Sequence, residues 1–295
     1  MNPMPTLPAL SDAPRTLIAF ERRFQTEEDC RLYLEQLRWP HGFRCPCGEE
    51  RAWRTAAGLL KCPACRRASS VTAGTIFHGS HLPLMVWFRA IWWATNHQAG
   101  VSALGLQYAL SLGSYRTAWA MLRTIHSVMA LRRRPLKGRI DVGIHCFCSS
   151  RRSCSSDDEQ SWIAIAVEER RDGVGRIRMR RLPEQSAEEL RQFLDDVVAA
   201  KSTVYADDPS TAKLLPACGY AAPASNAALP RAGSRIQLTA GLAKRWLGGT
   251  HQGRYEHKYL QEYLEAFSFR FNRRNVPHSG TLFAHLLEVA VTEPA

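Results

Sequence analysis

The sequence lacks a long apolar run of the kind that crosses a membrane. Its longest apolar stretch, residues 82–94, is interrupted by Pro83 and Arg89, and it is shorter than the roughly 20 residues that a membrane-spanning helix needs. Residues 1–15 carry prolines where an export signal has an apolar core, so we expect neither membrane insertion nor export. We therefore predict that the chain works in the cytoplasm.

Acidic residues are scarce relative to basic ones. The 295 residues include 39 Lys and Arg against 27 Asp and Glu, which gives a net charge of +12. Such a surplus favours a polyanionic partner, because each phosphate contact releases counterions. The apolar fraction of 45% is typical of globular proteins and excludes a wholly disordered or fibrous chain. The length suits one large domain or two to three small ones.

Cysteine is unevenly distributed along the chain. Of nine cysteines, four form two close pairs, Cys45 with Cys47 and Cys62 with Cys65. Two local pairs supply the four soft ligands that tetrahedral zinc prefers, and bound metal would supply folding energy that so short a segment lacks. We predict a structural zinc ribbon over residues 43–78. Because a single residue separates the first pair, a cluster of free thiols is the alternative.

The first half of the chain is otherwise helical in pattern. We predict a disordered tail over residues 1–14, an N-terminal helix within 15–42 and a helical segment over 79–131, broken at Gly100 and Gly113. The last two helices of that segment suit a helix-turn-helix whose second helix enters a major groove. Arg116 and Thr117 would then contact DNA. A plain helical hairpin is the alternative.

The periodicity changes after a basic linker at residues 132–135. Strand patterns over 139–142, 162–167 and 175–180 precede an amphipathic helix and a strand that ends at Asp207. This order is typical of an α/β, ribonuclease-H-like domain with a mixed sheet, although other α/β domains begin the same way. A long C-terminal helix follows, whose aromatic stripe predicts core packing. We assign residues 137–295 to this domain.

Seven blocks of sequence carry a resemblance to a known family. They are FRCPCG from Phe43, CPACRR from Cys62, SVTAGTIFH from Ser70, SYRTAW from Ser114, KRWL from Lys244, GTHQG from Gly249 and FSFRFNRR from Phe267. In this order they resemble the zinc-ribbon DDE transposases of bacterial insertion sequences (family fifteen-ninety-five), over residues 24–291. The resemblance implies a nucleoid-associated transposase that binds terminal inverted repeats and target DNA as a homo-oligomer.

The resemblance also implies a catalytic site. In such enzymes clustered carboxylates hold two Mg²⁺ ions, which activate water and then a DNA 3′ hydroxyl for attack on phosphodiesters. The strand that carries the first aspartate corresponds to residues 140–146, where Gly143 stands in its place. Asp141 lies on the same strand face, but about 6–7 Å away, which is farther than Mg²⁺ coordination tolerates. Asp141 would serve as a magnesium ligand only if the strand shifted its register.

Asp207 matches the second aspartate and would be the other magnesium ligand, with a turn or helix-capping role as the alternative. No acid occurs over residues 209–255, so the third ligand is missing, and Leu242 or Ser234 falls near its place. Lys244 is kept and would contact phosphate, unless it only forms the polar side of a helix. The same family match predicts further DNA contacts, which are Arg245, His251, Arg270, Arg273 and Arg274.

Two segments lack any periodicity, residues 145–156 and 221–240. A pair of compensating frameshifts or drift in an inactive copy would produce them. Three cysteines in the first segment suggest a second metal site, but no fourth ligand is spaced to join them. We therefore expect an insertion-sequence transposase whose catalysis is severely reduced or lost. The alternatives are a DNA-binding protein that recognises the repeats without cleaving them, and an unfolded pseudogene product.

Overall fold

The chain divides into two units in its computed structural model, Met1–Leu131 with Val276–Ala295, and Arg132–Asn275. The residues that the structure describes are 13–97, 100–131, 134–148, 160–171, 173–220, 234–251, 256–276 and 278–292. The tail predicted to be disordered therefore lies almost wholly outside the described residues. So do most of the two aperiodic segments, including Cys154.

The first unit is mainly helical. Its elements are α1 (Leu17–Arg23), α2 (Glu27–Arg38), β1 (Trp53–Arg54), β2 (Leu60–Lys61), β3 (Ala68–Ser69), α3 (Leu84–Asn96), α4 (Ala103–Ala109), α5 (Tyr115–Ala130) and α10 (Ser279–Thr292). The three short strands form an antiparallel sheet in the order β1-β2-β3. The N-terminal segment contains two helices rather than one, because the capping box of Thr26 and Asp29 starts a new helix.

Helix α10 packs in the first unit, although the sequence analysis assigned it to the C-terminal domain. The Phe283 ring lies 5.4 Å from that of Phe20, 5.8 Å from those of Phe24 and Phe88, and 5.6 Å from that of Trp92. Edge-on aromatic contacts of this kind add to the burial of apolar area. The helix is apolar over most of its surface, so it must be buried somewhere, and its sequence does not specify against what.

Glu27 links α2 to α3. Its carboxylate accepts hydrogen bonds from the backbone amides of Leu84, at 2.8 Å, and Met85, at 2.9 Å. These amides begin α3, whose N-cap residue Pro83 makes no side-chain cap. A carboxylate at a helix N-terminus satisfies otherwise unpaired donors and interacts favourably with the helix dipole.

The second unit is built on a four-stranded sheet. Its elements are β4 (Arg139–Cys148), β5 (Gln160–Arg170), β6 (Gly173–Leu182), α6 (Ala187–Val197), β7 (Thr203–Ala206), α7 (Pro209–Leu214), α8 (Arg235–His251) and α9 (Leu260–Asn272). The strand order is β6-β5-β4-β7. Strand β7 runs parallel to β4, and the other pairs are antiparallel. The predicted mixed α/β architecture is thereby confirmed.

Helices cover both faces of this sheet. On one face α6 packs Leu190 and Phe193 against Ile140 and Val142 of β4. On the other, α8 and α9 pack against the alternate residues of the strands. Because β5 is covered on both sides, its sequence is almost continuously apolar. Phe267 of the predicted aromatic stripe lies in this second core, so the stripe has the predicted packing role.

Strand β4 is the element that positions the candidate site. Its side chains alternate between the two faces, so Asp141, Gly143 and His145 lie on the side of α8. Over the described ranges, no helix is both long enough and apolar enough to cross a membrane.

Candidate functional site

The four paired cysteines of the first unit converge. The Sγ atoms of Cys45 and Cys65 are 3.5 Å apart, those of Cys47 and Cys62 are 3.6 Å apart, and all four lie within 4.8 Å of one another. Four sulfurs around a tetrahedral zinc ion, at bonds of about 2.3 Å, are separated by about 3.8 Å. The donor set and its spacing therefore fit one Zn²⁺ ion.

Tight turns bring the two pairs together. The amide of Cys45 donates to the carbonyl of Glu49, and Gly48 closes this turn with a φ of 92°, a conformation that glycine adopts without strain. The amide of Cys62 donates to the carbonyl of Arg67. The single residue between Cys45 and Cys47 therefore does not prevent convergence. Few apolar side chains support the ribbon, so bound metal would supply much of its stability.

Helices α4 and α5 form a helix, turn and helix, as the sequence predicts. Ser114 caps α5 by accepting a hydrogen bond from the Thr117 amide. Arg116 is exposed, whereas Thr117 is half-buried. Arg123, which the sequence analysis did not select, is exposed seven residues after Arg116 and stacks on Trp119 at 4.8 Å from the ring centroid. The spacing of seven residues is the signal that places both arginines on one side of α5.

Charge is strongly segregated along the chain. Residues 51–140 contain 13 Lys and Arg and no Asp or Glu, so the rest of the sequence, with 26 basic and 27 acidic residues, is nearly neutral. This acid-free segment includes the second cysteine pair and helices α3 to α5. The whole net charge of the protein thus resides in one segment, which is a stronger indication of a polyanion-binding surface than total charge.

In the second unit, Gly143 lies directly beside Asp207. The Asp207 amide donates to the Val142 carbonyl at 2.8 Å, which continues the parallel pairing of β4 and β7. A Cβ atom at position 143 would be 3.4 Å from the Cβ of Asp207 and 2.8 Å from Cγ2 of Ile236. A side chain at position 143 would therefore lie next to that of Asp207, and glycine supplies none.

Asp208, rather than Asp207, caps the helix that follows. Its carboxylate accepts from the Thr211 amide at 2.9 Å and the Thr211 hydroxyl at 2.6 Å, and it also accepts from the Ser210 hydroxyl. Burial disfavours its ionised form, but these hydrogen bonds outweigh burial and lower the pKa of Asp208. The capping role that could have explained Asp207 therefore belongs to its neighbour.

Asp207, like Asp208, is half-buried. Burial raises the pKa of its carboxyl group, and a hydrogen bond with the Ser234 side chain opposes that rise. Of the two residues expected near the third ligand position, Ser234 is thus the one that contacts Asp207. Leu242 packs against the apolar core beneath α8 and α9.

Asp141 is engaged in an ion pair that its sequence context does not reveal. Its Oδ2 atom lies 2.6 Å from Nη1 of Arg235, whose Nη2 lies 2.6 Å from Oε1 of Glu169. Arg139 contacts the other oxygen of Glu169 at 3.1 Å. Neither Arg235 nor Glu169 has a local motif, so the sequence analysis missed both.

Asp141, Glu169, Asp207 and Asp208 form an acidic corner of the second unit. His145 and Lys244 lie near this corner. Burial, with the nearby Lys244 ammonium, lowers the pKa of His145 despite the opposing charges of Asp207 and Asp208. This shift favours the neutral imidazole. Lys244 is exposed, with its Nζ atom 5.0 Å from the centroid of the Phe147 ring.

The arginines predicted to contact DNA differ in environment. Arg245 is exposed. Arg273 is half-buried and stacks on Phe269, and burial lowers its pKa to about 10. Arg274 stacks on the Phe271 ring and donates to the Phe271 carbonyl. Burial also lowers the pKa of Arg270. The side chain of His251 lies outside the described residues.

The acidic corner does not have a donor set that fits Mg²⁺. Within the described parts of the chain, the four ribbon cysteines form the one group of three or more His, Cys, Asp or Glu side chains that converges closely enough to hold a metal ion. Mg²⁺ requires near-octahedral oxygen ligands at about 2.0–2.1 Å. Here Asp141 is paired with Arg235, Asp208 caps α7 and position 143 has no side chain.

Comparisons with known families match two parts of the chain. Residues 25–68 match the transposase zinc-ribbon domain, and residues 148–272 match the ISXO2-like transposase domain. The second match includes Asp207 and Lys244 but begins five residues after Gly143. No curated protein matches the chain. The two matched domains occur in the order that the sequence motifs indicate, so the chain carries a transposase zinc-ribbon domain followed by an ISXO2-like transposase domain.

Proposed function

We propose that this protein binds the terminal inverted repeats of an insertion sequence, and that its cleavage and strand-transfer activity is severely reduced. By family it is an insertion-sequence transposase. The observation that carries the proposal is the position of Gly143 beside Asp207, because the family resemblance implies a metal-binding carboxylate at position 143 and glycine has none. Cleavage by this class of enzyme depends on metal-bound oxygens at that place.

DNA binding is supported by the first unit. It contains the zinc-ribbon domain and nearly all of the acid-free segment, with Arg116 and Arg123 exposed on one side of α5. We propose that α4 and α5 act as a helix-turn-helix, with α5 in the major groove. The protein would act on DNA in the cytoplasm, as a homo-oligomer that holds paired ends.

The second unit is consistent with a ribonuclease-H-like domain. The predicted order of three strands, a helix and a fourth strand is present, and Asp207 follows the fourth strand where it lies beside β4. Lys244 and Arg245 on α8 are the side chains that we assign to phosphate contacts here. Arg270, Arg273 and Arg274 stay in the proposal as secondary contacts, although stacking and carbonyl hydrogen bonds engage the last two.

Binding and cleavage are tested on one substrate, a plasmid that carries the terminal repeats of the insertion sequence. We expect the repeats to bind more tightly than scrambled duplex of equal length. Replacing Arg116 with alanine should weaken binding and reduce the salt-dependence slope by about 0.9 for each lost phosphate contact. Lys213→Ala, an exposed change outside the proposed surface, should leave both unchanged.

Cleavage is measured as Mg²⁺-dependent nicking at the repeat ends. We expect no more nicking than with an Asp207→Ala variant. Robust nicking that Asp207→Ala abolishes would overturn the proposed impairment. Equal affinity for repeats and scrambled duplex would overturn the proposed DNA specificity.

A further inference from the structure

Arg235 bridges two strands at the acidic corner of the second unit. It emerges from the first turn of α8 and contacts Asp141 on β4 and Glu169 on β5, each at 2.6 Å. Asp141 is paired with Val167 of β5, two residues before Glu169, so the two carboxylates are near neighbours on adjacent strands. One planar guanidinium thus spans both of them, a geometry that arginine provides and lysine does not.

This network is largely shielded from solvent. The exposed fractions of the side chains are 14% for Asp141, 20% for Arg235 and 33% for Glu169. Arg139 joins at the exposed edge, 3.1 Å from Glu169, and its guanidinium stacks 4.0 Å from the Tyr205 ring centroid. Two carboxylates held this close without a cation would repel each other, and the attraction of Arg235 is only weakly screened by solvent.

Position 143, the next residue on the same face of β4, is also covered by a side chain of α8. Ile236, which follows Arg235, lies against Gly143 and is fully buried. The start of α8 therefore places a cation on Asp141 and an apolar side chain over position 143. Consecutive residues of one helix thus occupy the space next to Asp141 and the space next to Gly143.

We propose that the Arg235 guanidinium is the resident cation of this corner, in place of a divalent metal ion. It neutralises Asp141 and Glu169 and ties α8 to the sheet. The second unit consequently holds its fold without Mg²⁺, and Asp141 does not bind it. This inference deepens the proposed function and depends on it only for the identification of the corner.

The test compares thermal unfolding of the zinc-loaded full chain in 10 mM MgCl₂ and in NaCl of equal ionic strength. Hydrogen exchange of peptides over residues 139–148 and 235–251 reports on this corner alone. For the unchanged protein we expect a Tm difference below about 1 °C. A saturable rise in Tm with Mg²⁺ that Asp141→Asn removes would overturn the proposal.

Arg235→Gln leaves both carboxylates without their central cation. We expect it to lower Tm by roughly 3–8 °C, to speed exchange over residues 139–148, and to make Tm sensitive to Mg²⁺. Unchanged exchange and no sensitivity to Mg²⁺ in this variant would overturn the proposal. If Arg235→Gln does not fold, Arg235→Lys keeps the charge, and it should fold with a lower Tm and stay insensitive to Mg²⁺.

The matched control removes an arginine from an exposed ion pair. Arg191 of α6 lies 3.7 Å from Asp195, and both side chains are more than half exposed. Arg191→Gln should change Tm by less than about 1 °C and add no sensitivity to Mg²⁺. The proposed function can be contradicted independently of this inference. If the protein nicks DNA although its Tm does not change with Mg²⁺, the proposed loss of cleavage is wrong and the assignment of Arg235 still holds.

Discussion

Ile236 occupies the space that a side chain at position 143 would need. Its Cγ2 atom lies 2.8 Å from where the Cβ atom of any other residue would be, whereas the Cβ of Asp207 is at 3.4 Å. A single substitution at position 143 would therefore not place a side chain there without moving Ile236. Helix α8 packs directly over Gly143 through the Ile236 side chain.

Substitutions at these two positions should be strongly coupled. Gly143→Asp alone should destabilise the protein, because the new Cβ contacts a buried side chain. Ile236→Ala alone should cost about 2–5 kcal/mol through the cavity it leaves. The double variant should be more stable than the sum predicts, by roughly 0.5–3 kcal/mol. Urea unfolding measures this coupling, and additive effects would show that Ile236 does not limit position 143.

The double variant also tests the catalytic interpretation. Its carboxylate at position 143 would lie beside that of Asp207, so we expect Tm to rise with Mg²⁺ in this variant and not in Gly143→Ala with Ile236→Ala. The alanine pair has the same backbone and cavity changes without the new oxygens. An equal response of the two double variants to Mg²⁺ would contradict this expectation.

Zinc should be bound at one ion per chain. Cys65→Ser removes one of four converging sulfurs and should lower the zinc content and unfold the ribbon, because few apolar contacts support it. Elemental analysis and hydrogen exchange over residues 43–69 measure both effects. Cys218→Ala, which removes a buried thiol from the second unit, should keep the zinc. Full zinc content in Cys65→Ser would show that the four sulfurs do not act together.

Asp207 should lower stability at neutral pH. Burial raises its pKa in the folded state, so the folded state loses stability as the pH rises from the unfolded value of about 3.9 through that raised pKa. Asp207→Asn should therefore raise Tm at pH 7. This gain in Tm should disappear as the pH falls to the unfolded pKa of about 3.9. Asp208→Asn should instead lower Tm at pH 7, because hydrogen bonds lower the pKa of Asp208. Parallel pH profiles of the two variants would contradict these assignments.

Helix α10 should be required for the stability of the first unit. Phe283→Ala removes the ring that contacts Phe20, Phe24 and Phe88 and should cost roughly 3–5 kcal/mol. Hydrogen exchange over α3 should increase in this variant. Tyr108→Ala, a change at a side chain that is 76% exposed, should have little effect. A loss of protection confined to the second unit would mean that α10 packs there instead.

Local sequence was sufficient for much of the fold. Ligand spacing within the two cysteine pairs, the helical pattern of residues 79–131 and the continuous apolar run of β5 each extend over short stretches of sequence. Such features depend on short-range effects, so they were visible without a structure. The absence of a side chain at Gly143 was equally visible, because the residue type alone shows it.

The tertiary structure alone decided which distant residues meet. Arg235 pairs with Asp141 across 94 residues, and Glu27 reaches the start of α3 across 57 residues. Such pairs produce no periodic pattern in the sequence, because the residues around a charged side chain are the same whether or not a distant partner packs against it. The packing of α10 with the first unit follows the same principle. Its composition required burial, but only the shape of the completed cores selected the surface that buries it.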